Sequence, residues 1–344
     1  MIPLRAVAEG PGRAVADGEP RSRALADVVA DHLVPDDATL EAGLRTALGA
    51  HGVTVSLASR RPTEWFTTYP TDLVRCEIDG RPVTLFCKFS AGVSHDAHGH
   101  RGGLDREIVA YEQVVTRSGL SAVRWYGWHR DQHDHVWLLL EHVEGSVRVN
   151  KTPDPGAMTA AAAWLGRFHA FGEERLREGD LEVPTYDLAY YRGWVERARR
   201  FAGPLAGEVP WFDGLCRRVS DGAGSLFEGG LTVIHGEFYP KNVLYLDGRI
   251  LPVDWESIAV APGEIDLASL VQGWPADVIA SAQEAYVRAR WSSAPDRDFG
   301  RRFEAAWIYL LFRWLGDRPE WTTSPTSRWY FDLLAQAGAR LGLL

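Results

Sequence analysis

The chain has 344 residues, 46% of them apolar and 24% charged, which supports a folded core over about two lobes and excludes global disorder. Its 37 Lys and Arg against 46 Asp and Glu leave a net charge of −9, which excludes a non-specific nucleic-acid binder, since that role needs a basic surface. No apolar run is long enough to span a membrane, and the three cysteines (Cys76, Cys87, Cys216) are too few and too scattered for a disulfide framework or a zinc site, so a cytoplasmic setting is expected.

Met1–Arg23, rich in Gly, Pro, Ala and charge with no apolar signal core, reads as a mobile tail. Helical patterns follow at Ala24–Leu33 and Thr39–Leu48, the second with Thr39 as N-cap and Leu40, Leu44 and Leu48 on one face. Val53–Leu57 alternates as a strand, and Leu73–Ile78 and Val83–Phe89 form a hairpin about Asp79-Gly80, a pair suited to a tight primed turn. A Gly- and His-rich loop, Ala91–Gly103, leads to a helix over Leu104–Ser118 with a Leu104, Ile108, Tyr111, Val115 stripe. Strands are expected at Val123–Trp128 and Val136–Val143.

Beyond Gly145 helical periods dominate: Met158–Phe171, Leu188–Phe201, Phe212–Phe227, Asp277–Trp291, Phe299–Leu315 and Ser327–Leu341. A compact strand–loop–strand unit, Leu231–Asp254, interrupts them. The expected architecture is α+β in two lobes: a small antiparallel-sheet lobe over residues 24–144 and a larger, mostly helical lobe over 145–344.

The richest segment runs Thr232-Val-Ile-His235-Gly236-Glu237-Phe238-Tyr239-Pro240-Lys241-Asn242-Val243-Leu244, then turns at Asp247-Gly248 into Leu251-Pro252-Val253-Asp254-Trp255-Glu256. Short strands here mount an acid, an amide and a second acid at loop ends, which suits a preorganised site. Such a set can position a hydroxyl nucleophile and hold Mg²⁺ on nucleotide phosphates.

These residues resemble the aminoglycoside phosphotransferase and choline-kinase-like family, small relatives of protein kinases with a His-Gly-Asp-x-x-x-x-Asn signature followed by Ile/Val-Asp-Trp/Phe-Glu. His235, Gly236, Asn242, Asp254, Trp255 and Glu256 match at the right intervals, and Gly263-Glu264-Ile265-Asp266-Leu267-Ala268 is similar to a further family motif. The resemblance implies a two-lobed protein-kinase-like fold, ATP and Mg²⁺ as cofactors, and transfer of the γ-phosphate to a hydroxyl. Lys88 would then hold the α/β-phosphates, Glu107 would orient it, and backbone groups of Glu141 and Val143 would meet the adenine. Asn242 and Asp254 would hold the metal, Glu237 would take the acceptor's proton, and His235 and Asp266 would brace the loop. The expected partner is a small hydroxyl-bearing molecule (an aminoglycoside, sugar, amino alcohol or natural-product precursor, cationic ones included) or a precursor peptide, with no nucleic acid and no membrane.

Two departures stand out. Glu237 fills a position where the family has Asp, and the extra methylene moves its carboxylate by roughly 1.5 Å. The loop Ser59–Thr71 has no glycine to cover phosphates, though Arg60 and Arg61 could reach them or stay solvated. Both departures motivate an alternative, a nucleotide-binding pseudokinase that acts as a scaffold. His95, His98 and His100 invite a metal reading, but nothing completes the ligand set and their Gly-rich setting suggests mobility. His129-Arg130-Asp131 spells a kinase triplet without the Asn five residues on, so it reads as a hairpin loop. Trp274, Trp291, Trp307, Trp314, Trp321 and Trp329 crowd the last third; most belong to the core, and one or two could stack on a sugar or a cation.

Overall fold

The structure is a computed structural model that describes residues 34–49, 52–63, 69–90, 98–179, 181–222, 224, 229–291 and 298–344. The expected tail, the Ala24–Leu33 helix and His95 lie outside those residues. Helix α1 (Asp37–Gly49) buries Leu40, Leu44 and Leu48, as its spacing predicts. Its cap is Asp36 rather than Thr39, because the Asp36 carboxylate accepts the Thr39 N–H at 2.7 Å.

Strands β1 (Val55–Pro62), β2 (Thr71–Ile78) and β3 (Arg81–Ser90) follow. The β2–β3 turn places both Asp79 (φ 51°) and Gly80 (φ 73°) in the left-handed region, as a type I′ hairpin requires. Strand β1 runs later and longer than its alternation suggests, with a bulge between Leu57 and Ser59, so Ser59–Pro62 belong to the sheet. Helix α2 (Gly103–Gln113) stops short of Ser118. The β-branched run Val114-Val115-Thr116 disfavours further helix, and Val115–Arg117 continues as one 3₁₀ turn.

Strands β4 (Trp125–Arg130) and β5 (Val136–Glu141) complete a five-stranded antiparallel sheet in the order β1-β2-β3-β5-β4. Asp131 closes the β4–β5 turn by accepting the His133 and His135 N–H groups, so the His129-Arg130-Asp131 triplet is a hairpin loop. A two-residue strand β6 (Val147–Arg148) then leads into helices α3 (Ala157–Glu178), α4 (Leu188–Phe201) and α5 (Phe212–Gly222).

Strands β7 (Thr232–Ile234), β8 (Val243–Leu246), β9 (Arg249–Pro252) and β10 (Ala259–Ala261) form two small sheets, β10-β7 and β6-β8-β9. Helices α6 (Glu264–Val271), α7 (Ala276–Trp291), α8 (Phe299–Asp317), α9 (Pro319–Thr323) and α10 (Arg328–Arg340) end the chain. Strand β10 and helix α6 escaped the sequence reading. All eight residues of α6 are buried, so no polar face marks a helical period.

Aromatic packing fixes the centre of the helical lobe. Trp164 and Phe168 of α3 lie against Phe238 and Trp255, with Trp164–Phe168, Trp164–Phe238 and Phe168–Trp255 ring centroids at 5.2, 5.8 and 5.3 Å. Phe238 and Trp255 each neighbour one of the two candidate acids, so this core sets where Glu237 and Asp254 stand. Helix α3 also packs closely on α7 at Gly166, where a Cβ would sit 2.5 Å from the Tyr286 carbonyl oxygen. Gly166→Ala is therefore expected to destabilise the fold by about 1–3 kcal/mol, read as a lowered midpoint in denaturant titration.

Candidate active site

The sheet supplies a cation to the cleft. Lys88 sits on β3 opposite Thr71 and Leu138, and Phe86, Thr84, Leu73 and Arg75 share its face by the two-residue period. Its ammonium lies 2.7 Å from Glu107 Oε2 on α2 and 2.7 Å from Asp254 Oδ1 on the helical lobe. Burial opposes the Lys88 charge, but Asp254 and Glu107 outweigh it and raise its pKa well above the usual lysine value. Burial alone would raise Asp254 too; the Lys88 ammonium overrides it and holds the carboxyl below its ordinary range.

Asp254 has φ 71°, a conformation that non-glycine residues seldom adopt and that recurs at functional sites. Asn242 anchors this turn: its carbonyl accepts the Val253 N–H at 2.9 Å. Asn242 Nδ2 also donates to the Glu237 carbonyl at 3.1 Å, so one side chain spans the loop between the two acids.

The His235-Gly236 turn is braced from below. Asp266 accepts the N–H of His235 at 2.6 Å and that of Gly236 at 2.9 Å. Asp266 is thus a loop brace within the first turn of α6, whose N-cap is Gly263. His235 donates from Nε2 to the Val253 carbonyl at 3.1 Å and accepts the Glu237 N–H at Nδ1. Only glycine fits at 236, where φ is +84° and a Cβ would meet the Ser257 carbonyl oxygen at 2.1 Å.

Glu237 itself is buried and held by three groups that converge on Oε1: His100 Nε2 at 3.2 Å, Arg101 Nη2 at 3.3 Å and Arg313 Nη1 at 3.3 Å. Burial would raise this carboxyl, but Arg101, the bond from His100 and Arg313 hold it well below its ordinary value. An ionised carboxylate only accepts, so His100 carries its proton on Nε2 and receives the Tyr190 hydroxyl at Nδ1, 3.0 Å away. Burial, with Arg313 nearby, pushes the His100 pKa down to about 4.

His100 and Arg101 reach the site on a strap. His98 Nε2 lies 3.0 Å from the Tyr190 carbonyl, the Gly102 N–H donates to the Glu256 carbonyl at 2.9 Å, and Tyr186 donates its hydroxyl to the His100 carbonyl at 3.0 Å. Residues 98–102, which lead into α2, are therefore docked on α4 and on the residues after Asp254. His98 and His100 serve this docking, and no described residue completes a metal set around them. Neither Arg101 nor Arg313 was legible as a site residue: Arg101 follows a histidine cluster without a motif, and Arg313 lies inside an apolar helix.

Glu256 also belongs here. One oxygen each of Glu237, Asp254 and Glu256 lie within 4.8 Å of one another. Burial and the neighbouring Asp254 push the Glu256 carboxyl up to about 8. Hard oxygen donors this close are a set that suits Mg²⁺, and a divalent cation relieves their mutual repulsion.

In the segment that joins the two lobes after β5, here called the hinge, Glu141 donates its N–H to the Arg124 carbonyl at 2.8 Å and its carboxylate accepts the Arg124 N–H at 3.0 Å. The Val143 carbonyl accepts both the N–H and the hydroxyl of Ser146. A cavity of about 190 Å³ opens beside this hinge, lined by Ser59, Arg60, Arg61, Leu73, Arg75, Thr84, His142 and Glu144. Arg60 pairs with Val74 on the α1 side of the sheet and is bound to Asp37 at 2.9 Å, whereas Arg61, opposite Leu73, is on the face that Lys88 shares. Of the glycine-free loop, Ser59–Pro62 are strand and 64–68 lie outside the described residues.

An antiparallel-sheet lobe and a helical lobe joined across a Lys–Glu–Asp cluster define a two-lobed, protein-kinase-like α+β fold. The sequence matches the family model described as the phosphotransferase enzyme family over residues 98–307, more than half of the chain, and the chain belongs to that family. No curated protein matches it in sequence. Among solved structures, the GDP complex of wild-type aminoglycoside 2'-phosphotransferase-IIIa is similar at TM-score 0.62 and 14% identity, covering 89% of this chain and 99% of that one. The choline kinase of Streptococcus pneumoniae is similar at TM-score 0.56 and 13% identity, covering 88% and 99%. Spectinomycin phosphotransferase in complex with ADP and its antibiotic is similar at TM-score 0.56 and 12% identity, covering 89% and 98%.

Burial lowers the pKa of His100, His169 and His235 alike. Between those lowered values and about 6.5 the unfolded chain binds more protons than the native one, so stability falls with acidification. Each such histidine costs up to about 1.4 kcal/mol per pH unit in that window. Glu256, whose carboxyl is pushed up to about 8, acts in the opposite sense over the same range, so the histidine contribution is read as a difference: between pH 7.5 and 5.5, His169→Gln should lose less stability than the wild type in denaturant titration.

Proposed function

We propose that this protein is an ATP-dependent phosphotransferase that moves the γ-phosphate to a hydroxyl of a small molecule. The observation that carries this reading is Lys88 held at 2.7 Å by acids of both lobes, Glu107 and Asp254, with the Glu237–Asn242 loop beside them. The nucleotide complexes among the structural neighbours (GDP, ADP) and their acceptors, aminoglycosides, spectinomycin and choline among them, support the same class.

In this reading the purine enters beside the hinge and meets the Glu141 carbonyl and the Val143 N–H. Lys88, oriented by Glu107, holds the α- and β-phosphates. Asp254 and Asn242, with Glu256 within reach, hold Mg²⁺, which when bound neutralises charge on the transferring phosphoryl. Glu237 takes the acceptor hydroxyl on Oε2, since its three partners crowd Oε1. The acceptor oxygen forms a bond to the γ-phosphorus, the bond to the β-bridging oxygen breaks, and the hydroxyl proton passes to Glu237 as ADP departs.

The scaffold alternative draws its support from Glu in place of Asp. What weighs for activity is that Glu237 is ionised and fixed by three donors, as an orienting base should be. Its longer reach is matched to those donors, which suggests a site rebuilt around Glu rather than a decayed one.

Two outcomes test the reading. Purified protein should release ADP from Mg·ATP in the presence of a pooled hydroxyl panel, and Asp254→Ala should lower that rate by at least about 10²-fold. Unchanged release in the variant would defeat the assignment. Glu237→Asp should not improve the enzyme: shortening the side chain draws the carboxylate away from His100, Arg101 and Arg313 and should cost about 10²-fold in kcat.

A further inference from the structure

We propose that the acceptor carries an anionic group, a carboxylate or a phosphate, beside the hydroxyl it offers, and that Arg101 and Arg313 grip it. The inference rests on the phosphotransferase reading and names the substrate class of the same site.

Two guanidinium groups converge on one oxygen, Glu237 Oε1, and each reaches it only at 3.3 Å. Arg101 lies 3.3 Å from Glu237, 3.6 Å from Glu256 and 3.8 Å from Asp317, all longer than the 2.7–2.9 Å typical of charge-assisted bonds. Lys88, in the same cleft, makes both of its ion pairs at 2.7 Å. Arg313 is buried; it spends Nη1 on Glu237 and Nη2 on the Tyr239 hydroxyl, and its Nε is buried with no hydrogen-bond partner. Each guanidinium presents five N–H donors, and one Glu237 oxygen cannot saturate both. A buried donor left unmade is expensive, so this arrangement is completed by a further acceptor.

The wall next to Arg313 repeats the pattern. Trp314 packs on Tyr239 and Tyr330, Trp321 packs on Tyr330, and the indole N–H groups of both tryptophans are buried without a partner. Unpartnered donors therefore line the Arg313 side of Glu237, and the acceptors left unmade nearby, Asp317 Oδ1 and Glu256 Oε2, belong to the two further carboxylates that Arg101 faces.

The two rings beside Arg313 offer little to a cationic acceptor. Arg313 already lies over the Tyr239 and Trp314 rings, at 5.7 and 5.0 Å, and Lys241 lies over Tyr239 at 5.6 Å. The faces of Tyr239 and Trp314 are thus covered by the protein's own cations. An aromatic wall edged with donors, next to two arginines, instead suits an acidic polyol such as a sugar acid or a sugar phosphate.

The experiment is a thermal-shift and ADP-release comparison of glucosamine, glucose, glucuronate and glucose 1-phosphate, each with saturating Mg·ADP or Mg·ATP and at matched ionic strength. Glucuronate or glucose 1-phosphate should bind at least about tenfold more tightly than glucose, and glucosamine more weakly; which of the two anions leads separates carboxylate from phosphate. Arg101→Gln should abolish that preference and raise the anionic probe's KM, with the Mg·ADP shift intact as proof of folding. A preference for glucosamine, equal binding of all four, or an anion preference that survives in Arg101→Gln would overturn the proposal. So would an Arg101→Gln defect confined to a non-hydrolysable ATP analogue, because the arginines would then serve the transferring phosphoryl. Failure of Mg·ADP itself to stabilise the wild-type protein would count instead against the phosphotransferase reading.

Discussion

A single buried ammonium organises this molecule. Lys88 is carried on the sheet, yet its charge is tolerable only because Glu107 and Asp254 close on it at 2.7 Å from either side. Breaking such a pair typically costs about 3–5 kcal/mol, since the remaining charge stays buried and uncompensated. One partner belongs to α2 and the other to the helical lobe, so the ion cluster fixes the lobes against each other. Asp254 reaches it only through a left-handed backbone turn, which the Asn242 carbonyl and the Trp255 core hold in place. Much of the strand–loop–strand unit can be understood as support for that one carboxylate.

The second acid is supported by a different logic. Glu237 is mounted on a loop whose backbone donors end on Asp266 and whose glycine admits no side chain. Its carboxylate is positioned from outside the loop, by α8 and by the strap that follows β3. Residues 98–102 precede a helix of the sheet lobe and dock on the helical lobe, so the position of Glu237 depends on contacts between the two lobes. An Asp at this position would not span to the same three donors, so the exchange of Asp for Glu and the recruitment of His100, Arg101 and Arg313 make sense together.

How much of this was legible follows from the range of each signal. The hairpin turns at Asp79-Gly80 and Asp247-Gly248 were readable because positive φ at consecutive residues leaves few alternatives. Helix α4 was readable to the residue, since its apolar and charged faces alternate cleanly over Leu188–Phe201. The loop residues His235, Glu237, Asn242, Asp254 and Asp266 lie within one short stretch, and their spacing carried them. Helix α6 was hidden because burial on every side erased its period, and the end of α2 because β-branched residues unwound it. Arg101 and Arg313 were illegible for a more general reason. They stand 212 positions apart in the chain, they meet only through the tertiary fold, and nothing local separates them from arginines on the surface.

That limit bears on what the family itself can say. In the reading proposed, the nucleotide is handled by residues that short local patterns carry: a strand lysine, a helix glutamate and a loop with its two acids. The acceptor would then be read by what the strap and the C-terminal helices bring up against Glu237, and those elements carry no motif. Charge decides much of that recognition, because a like charge beside a buried guanidinium costs more than any polar contact there returns. A site whose aromatic faces are already covered by Arg313 and Lys241 therefore differs in kind from one that cages an ammonium, even where the backbone beneath is shared. In the reading proposed, Lys88 and Asp254 set the chemistry of transfer, and residues that lie outside every motif in the chain set the identity of what receives the phosphate.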